Sequence, residues 1–398
     1  MLRTCALSFL LASTALAVEA GVPAPAPAPA VAPASAGVPT KAEVEALIQQ
    51  GQTWLLSQAQ PDGAFIPGKK YVLGITQLAT DALVAQPCAI PVTDPVIVKA
   101  LALQMSFKQK DGGFYEVDGP ANYTTSLALM LLSATKTGDP ATITAAQNFV
   151  LGIQNVTEKS LSKGGIGYGS KGPGFEDLSN TTFALEALKS SGMSSGDPRM
   201  KEALKFLERC HNLSSVNKLP WVTNDGGAVY APDESKAGGS WNPDAGTPQE
   251  QTKLTSYGSM TYALISSYLT LDLAKDDPRV VAALNWVKQN YQFEANPGMP
   301  VGPDKNGKLR EKQGLFYYYA AMAKTFDLLD AQGMELPNGK KADWRADLFA
   351  VIKAGALPAE GGKGVFWVNQ NADRWGEGFP HLTTAYMIKA LKRIDASL

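Results

Sequence analysis

The chain has 398 residues, 45% of them hydrophobic, with 36 Lys and Arg against 37 Asp and Glu for a formal charge of −1. That balance argues against nucleic acid or an anionic membrane surface as the main partner, since either favours a basic excess. Three Cys and two His give little from which to build a metal site, and no cofactor motif occurs, so neither is expected.

In chain order, residues 1–20 read as an export signal. Arg3 precedes the apolar run LSFLLASTALAV, and small residues offer cleavage after Ala17 or Ala20. That run is shorter than the ~18 apolar residues a membrane span needs, and no later segment reaches that length. The expected product is exported, to the periplasm, cell envelope or medium, with no transmembrane segment. Residues 21–40 alternate Pro and Ala and read as an extended spacer without a core. Cys5 lies in the signal. Cys88 and Cys210 remain, and the sequence leaves open whether they pair or stay as two separate thiols.

From residue 41 to 398 the chain repeats itself about six times. Asp-Pro recurs at Asp94, Asp139, Asp197 and Asp277, each opening a helical pattern. Asp caps the first free amides, and Pro at the first helical position gives up no hydrogen bond. The outer-type helices are KAEVEALIQQGQTWLLSQ, VIVKALALQMSF, ATITAAQNFVLGI, RMKEALKFLERC, RVVAALNWVKQN and DWRADLFAVIKAG. Gly-rich turns follow most of them: PDGAF, KDGGF, KGGIGYG, NDGGAVY and EGGKGVFW, where Gly permits tight reversal. A second, charge-poor helix comes next in each unit: VLGITQLATDALV, YTTSLALMLLSA, SNTTFALEALKS, TSYGSMTYALISSYL, GLFYYYAAMAKTF and HLTTAYMIKALKRI. Charge-poor helices suit burial on several sides. Twelve helices with this alternation predict an all-α (α/α)6 toroid, inner helices parallel around an axis and charged helices outside.

The repeat resembles that of the terpene cyclase and protein prenyltransferase family. WLLSQAQPDGAF (54–65) follows the family's aromatic-Leu…Gln…Gly-x-aromatic pattern, and ALQMSFKQKDGGF (102–114) is a looser copy. In FLERCHNL (206–213), His211 stands at the Gln position. The likeness covers nearly all of residues 41–398 and implies the same toroid. It also implies a ligand that is isoprenoid or otherwise apolar. In squalene–hopene cyclases an inner helix follows Asp-x-Asp-Asp-Thr-Ala, whose middle Asp protonates an alkene. Here the matching segment is DLSNTT: Asp177 matches the first Asp, Ser179 replaces the second and Asn180 the third. Asp177 is thus the candidate catalytic residue. A Ser hydroxyl is too weak an acid for the step, so standard protonation-driven cyclisation is not expected. Asp, Ser and Asn also favour helix N-caps, which alone would explain them.

Aromatic and charged residues near the inner-helix starts complete the candidate ligand site: Ser179, Asn180, Tyr168, Trp241, Tyr257, Tyr317, Arg374, Trp375 and His381. Tyr and Trp offer flat faces with a polar handle, suited to apolar or sugar surfaces. NADRWGEGFPH (371–381) is the densest polar and aromatic cluster, and it precedes the last inner helix as DLSNTT precedes the third. Two other functions fit an exported toroid: a polysaccharide-degrading enzyme, which needs two placed carboxyls, or a non-catalytic scaffold on the envelope.

Overall fold

The computed structural model describes residues 37–68, 71–169, 175–242 and 253–398. Residues 1–20, read from the sequence as an export signal, and most of the Pro/Ala stretch lie outside the described residues.

The twelve helices predicted from the sequence are α1 (Lys41–Ser57), α2 (Val72–Val84), α3 (Pro95–Ser106), α4 (Ala121–Thr135), α5 (Pro140–Gly152), α6 (Leu178–Ser190), α7 (Pro198–Cys210), α8 (Gly258–Thr270), α9 (Pro278–Gln289), α10 (Leu315–Leu328), α11 (Trp344–Ala354) and α12 (Pro380–Ala396). Two small antiparallel hairpins flank α11, pairing Met334–Glu335 with Lys341–Ala342 and Leu357–Pro358 with Val365–Phe366. The even-numbered helices pack in sequence from α2 to α12, and α12 packs back on α2 and α1, which closes the ring. The odd-numbered helices pack outside them. The fold is an (α/α)6 toroid.

Local chemistry builds each unit in the same way. The carboxylates of Asp94, Asp139, Asp197 and Asp277 accept the amides of Val96, Thr142, Arg199 and Arg279 at 2.7–2.9 Å, capping α3, α5, α7 and α9. The turn after five of the six outer helices then lies against a neighbouring outer helix. Gly63, Gly112, Gly164, Gly226 and Gly364 have φ of +83° to +93°, and a Cβ at any of them would come within 2.6 Å of a backbone carbonyl oxygen of α3, α5, α7, α9 or α1. Glycine is required there twice over, by backbone angle and by space. Two or three residues on, the chain is pinned to the coming inner helix. The amides of Phe65, Phe114, Ile166, Ala228 and Trp367 donate to the hydroxyls of Thr76, Thr125, Thr181, Thr261 and Thr384 at 2.9–3.3 Å. This is why Thr recurs in the first turns of the inner helices: each is the acceptor for a buried loop amide.

His211 takes the repeat's Gln position in geometry as well. Gln154 Nε2 donates to the Gly164 carbonyl at 2.8 Å, and His211 Nε2 makes the corresponding contact to the Gly226 carbonyl at 3.0 Å. Cys88 and Cys210 are both free thiols. Among the described residues no helix is long and apolar enough to cross a membrane.

Candidate functional site

The inner-helix N-termini lie together at one mouth of the ring, where the first turns of α2, α4, α6, α8 and α10 meet the loop of the next unit. The amide of Asn122 (α4) donates to the Tyr168 carbonyl at 2.9 Å, Leu178 (α6) to Tyr230 at 2.8 Å, and Gly258 (α8) to Pro297 at 2.8 Å. At α2 the acceptor is the Glu116 carboxylate, which takes the Val72 and Leu73 amides. At α10 it is the buried Glu377, whose Oε1 accepts the Tyr317 amide at 2.8 Å while Oε2 accepts Asn369 Nδ2 at 2.7 Å. Burial lifts the Glu377 carboxyl to about 7 against the pull of these donors. Tyr71 and Phe379 complete the circle between α2 and α12, their rings 6.1 Å apart.

Asp177 sits on this mouth as the buried N-cap of α6. Its Oδ1 accepts the Asn180 amide (2.8 Å) and the Ser179 hydroxyl (2.7 Å), and its Oδ2 accepts Asn180 Nδ2 (2.8 Å). The Tyr230 hydroxyl is a fourth partner. Burial raises its pKa above the ordinary carboxylate value, and the four hydrogen bonds oppose the rise. The capping role read from the sequence is therefore met in full, and Ser179 and Asn180 serve the same cap.

Other candidates fall into three groups. Tyr168 lies near Asp177 beside Tyr230: its hydroxyl is 3.3 Å from that of Tyr230, and burial followed by the Asp177 charge raises its pKa. Tyr317 lies on the axial side of α10, its ring 6.0 Å from Tyr386, and Arg374 and Trp375 form the exposed rim beside it. The Arg374 guanidinium stands 4.6 Å over the Trp375 ring and donates to Gln313 Oε1 at 3.0 Å. Tyr257 and Trp241 are wall rather than lining. Tyr257 is the buried N-cap of α8, and half-buried Trp241 packs on the core with its amide on the Asp233 carbonyl at 2.8 Å. His381 stands apart from the rest. Its ring packs 5.1 Å from Trp54 of α1, so it faces the outer layer, and neither ring nitrogen has a hydrogen-bond partner. Burial lowers its pKa to about 4.

Further aromatic side chains line the axis. Tyr123 and Tyr386 approach each other across α2, hydroxyl to hydroxyl at 3.4 Å, and Phe183 packs edge-on to Tyr123 at 4.6 Å. Deeper along the axis come ions. Lys324 of α10 donates to Glu186 of α6 at 2.7 Å, across α8, and Lys389 of α12 pairs with Asp81 of α2. Burial opposes ionisation of Glu186, but Lys324, Lys389 and Arg393 hold it down to about 2. Arg393 and Asp327 pair at 2.5 Å one turn further along α12. A signal for this layer was present in the sequence: Asp81, Glu186, Lys324 and Lys389 are each the first Asp, Glu, Lys or Arg met along their inner helix. Among the described residues no group of His, Cys, Asp and Glu could hold a metal ion.

This arrangement defines a toroid whose mouth combines phenols, an exposed Trp–Arg rim and a capped carboxylate, above a charged axis. No family model matches the chain, and no curated protein does. Solved structures do match. The type II terpene cyclase MstE from Scytonema is 13% identical with a TM-score of 0.52, over 90% of this chain and 100% of that one. A D-mannose isomerase is 13% identical with a TM-score of 0.56, over 90% and 98%. An unsaturated glucuronyl hydrolase specific for heparin is 12% identical with a TM-score of 0.51, over 89% and 97%. At such identities the likeness is one of fold, which isoprenoid and sugar enzymes share.

Proposed function

We propose that the protein is a glycan-binding toroid that works outside the cytoplasm. The observation that carries this reading is the layering of the axis: phenols with paired hydroxyls lie directly above ion pairs. A sugar ring has an apolar face to set on an aromatic ring and hydroxyls at its edge to pair with Tyr, Asp and Arg. An isoprenoid chain, the ligand implied by the repeat resemblance, needs hydrocarbon along its whole length. Below Phe183 and Tyr386 it would meet Glu186 and Lys389, and covering those charges with hydrocarbon is costly.

Binding rather than bond-breaking is the better-supported activity. Asp177 is held within the protein by the Ser179 hydroxyl and by the amide and side chain of Asn180, bonds it would have to give up to deliver a proton to a ligand. Cyclisation by protonation and two-carboxyl glycoside hydrolysis both need a carboxyl free to face the substrate. The export signal read in residues 1–20 supports an encounter with glycans outside the cytoplasm.

The test is calorimetric titration of the mature chain with neutral oligosaccharides, uronate oligosaccharides, farnesol and geranylgeraniol, alongside the Trp375→Ala variant. Saturable binding of an oligosaccharide at Kd of about 1 mM or tighter, weakened at least tenfold in Trp375→Ala, is expected. Saturable binding of the isoprenoid alcohols without any glycan would overturn the reading, as would product formed from squalene by the wild type but not by Asp177→Asn.

A further inference from the structure

We infer that Asp81, Glu186, Lys324 and Lys389 form a subsite, deep on the ring axis, for the terminal ring of an uncharged glycan that enters end-on. This rests on the glycan reading above and goes beyond it, because it assigns charge and mode of entry. The four side chains lie in the C-terminal halves of α2, α6, α10 and α12, surrounded by packed helices, yet 15%, 27%, 19% and 31% of their respective surfaces are open to solvent. Residues so placed can be open only towards the axis. The openness is continuous with the mouth, since Ser179, Phe183 and Glu186 on α6, Tyr317 and Lys324 on α10, and Tyr386 and Lys389 on α12 are all part-exposed at helical spacing. Seven residues separate Tyr317 from Lys324, which places the ions roughly 10 Å below the mouth phenols of α10.

The chemistry of the layer selects its occupant. Each ammonium makes one hydrogen bond, to one carboxylate oxygen, and has two further N–H groups to offer. Each carboxylate keeps lone pairs free for a donor. Two positive and two negative groups sum to zero, so a ligand carboxylate would face Glu186 and Asp81, and a ligand amine would face the two lysines. A sugar hydroxyl both donates and accepts, and so bridges an ammonium and a carboxylate without adding charge. Glu186–Lys324 links α6 to α10 past α8, Lys389–Asp81 links α12 to α2, and Arg393–Asp327 links α12 to α10 one turn beyond, so ion pairs narrow the axis at successive levels. The axis therefore receives an end rather than passing a chain through.

The test compares three ligands by calorimetry on the full mature chain: a linear neutral oligosaccharide, a cyclic one of the same sugar, and the linear one with its terminal ring oxidised to the uronate. The linear neutral form is expected to bind at least tenfold more tightly than the other two. The charge-neutral double variant Glu186→Gln, Lys324→Met is expected to lose at least tenfold in affinity for the linear form. Asp81→Asn, on the opposite pair, provides a second variant should the first fail to fold. Equal binding of linear and cyclic forms, or full affinity in floor variants while Trp375→Ala loses it, overturns the deep subsite and leaves the mouth reading standing. Absence of binding by every glycan, with or without isoprenoid binding, overturns both.

Discussion

His211 offers a direct check on the repeat logic through acid stability. It is fully buried, with Nε2 on the Gly226 carbonyl (3.0 Å) and Nδ1 on the Tyr268 hydroxyl (3.1 Å). The carbonyl can only accept, so Nε2 carries the proton and Nδ1 accepts from Tyr268. Burial, with a smaller contribution from Arg279, lowers the imidazole pKa from 6.5 to about 4. Between those values the unfolded chain binds a proton that the folded chain refuses. The stability His211 contributes is therefore complete above pH 6.5 and lost as pH falls towards 4. The shift corresponds to ~3 kcal/mol, or roughly 6–12 °C of melting temperature at the 2–4 °C per kcal/mol of larger domains. His211→Gln restores the residue used at position 154 and keeps a donor for Gly226, but has nothing to titrate. It should cost about 1 kcal/mol at pH 7.5 for the lost Tyr268 contact. On acidification to pH 4.5 it should lose several degrees less than the wild type. His381 is present in both proteins and cancels in the difference. Parallel melting curves for the two proteins across that pH range would refute the argument.

Asp177→Asn places an amide where Oδ2 now accepts Asn180 Nδ2, so donor meets donor; the expected loss is about 1–3 kcal/mol, read by urea titration. A variant as stable as the wild type would show that the cap is not what holds Asp177. Thr181→Val leaves the buried Ile166 amide without its acceptor and should cost about 1–3 kcal/mol. Lys189 near the exposed end of the same helix, changed to Met, should move stability by less than about 1 kcal/mol. Gly164→Ala drives a Cβ to 2.0 Å from the Glu202 carbonyl at a φ of +87° and should lose more than about 2 kcal/mol, whereas Gly152→Ala, inside α5 with open space around it, should be neutral or stabilising.

The fold was legible because its signals are local. Asp-Pro fixes the starts of α3, α5, α7 and α9, and the Gly turns mark where the chain reverses. The start of α10 is less marked, since its cap is Glu377, more than sixty residues away and belonging to the next unit's loop. Capping in trans leaves no pattern within either segment alone. The direction of His381 follows from helix geometry once the axial stripe of Tyr386, Lys389 and Arg393 is known: five residues before Tyr386 at ~100° per residue puts it about 140° away.

The same capping in trans explains why a binding site arises at this end of the ring. An inner helix presents free amides at its N-terminus, and in a closed ring the nearest chain able to meet them is the following unit's loop. Where a backbone carbonyl does this, as at α4, α6 and α8, the loop side chains of Tyr168 and Tyr230 are released towards the mouth. Where a carboxylate does it, as at α2 and α10, Glu116 and Glu377 are consumed by the fold and are not free for a ligand. Asp177 is consumed likewise by its own helix. The groups left for binding are then phenols, the Arg374–Trp375 rim and the axial ions. That set favours a ring with an apolar face and neutral hydroxyls over a hydrocarbon chain or an anion.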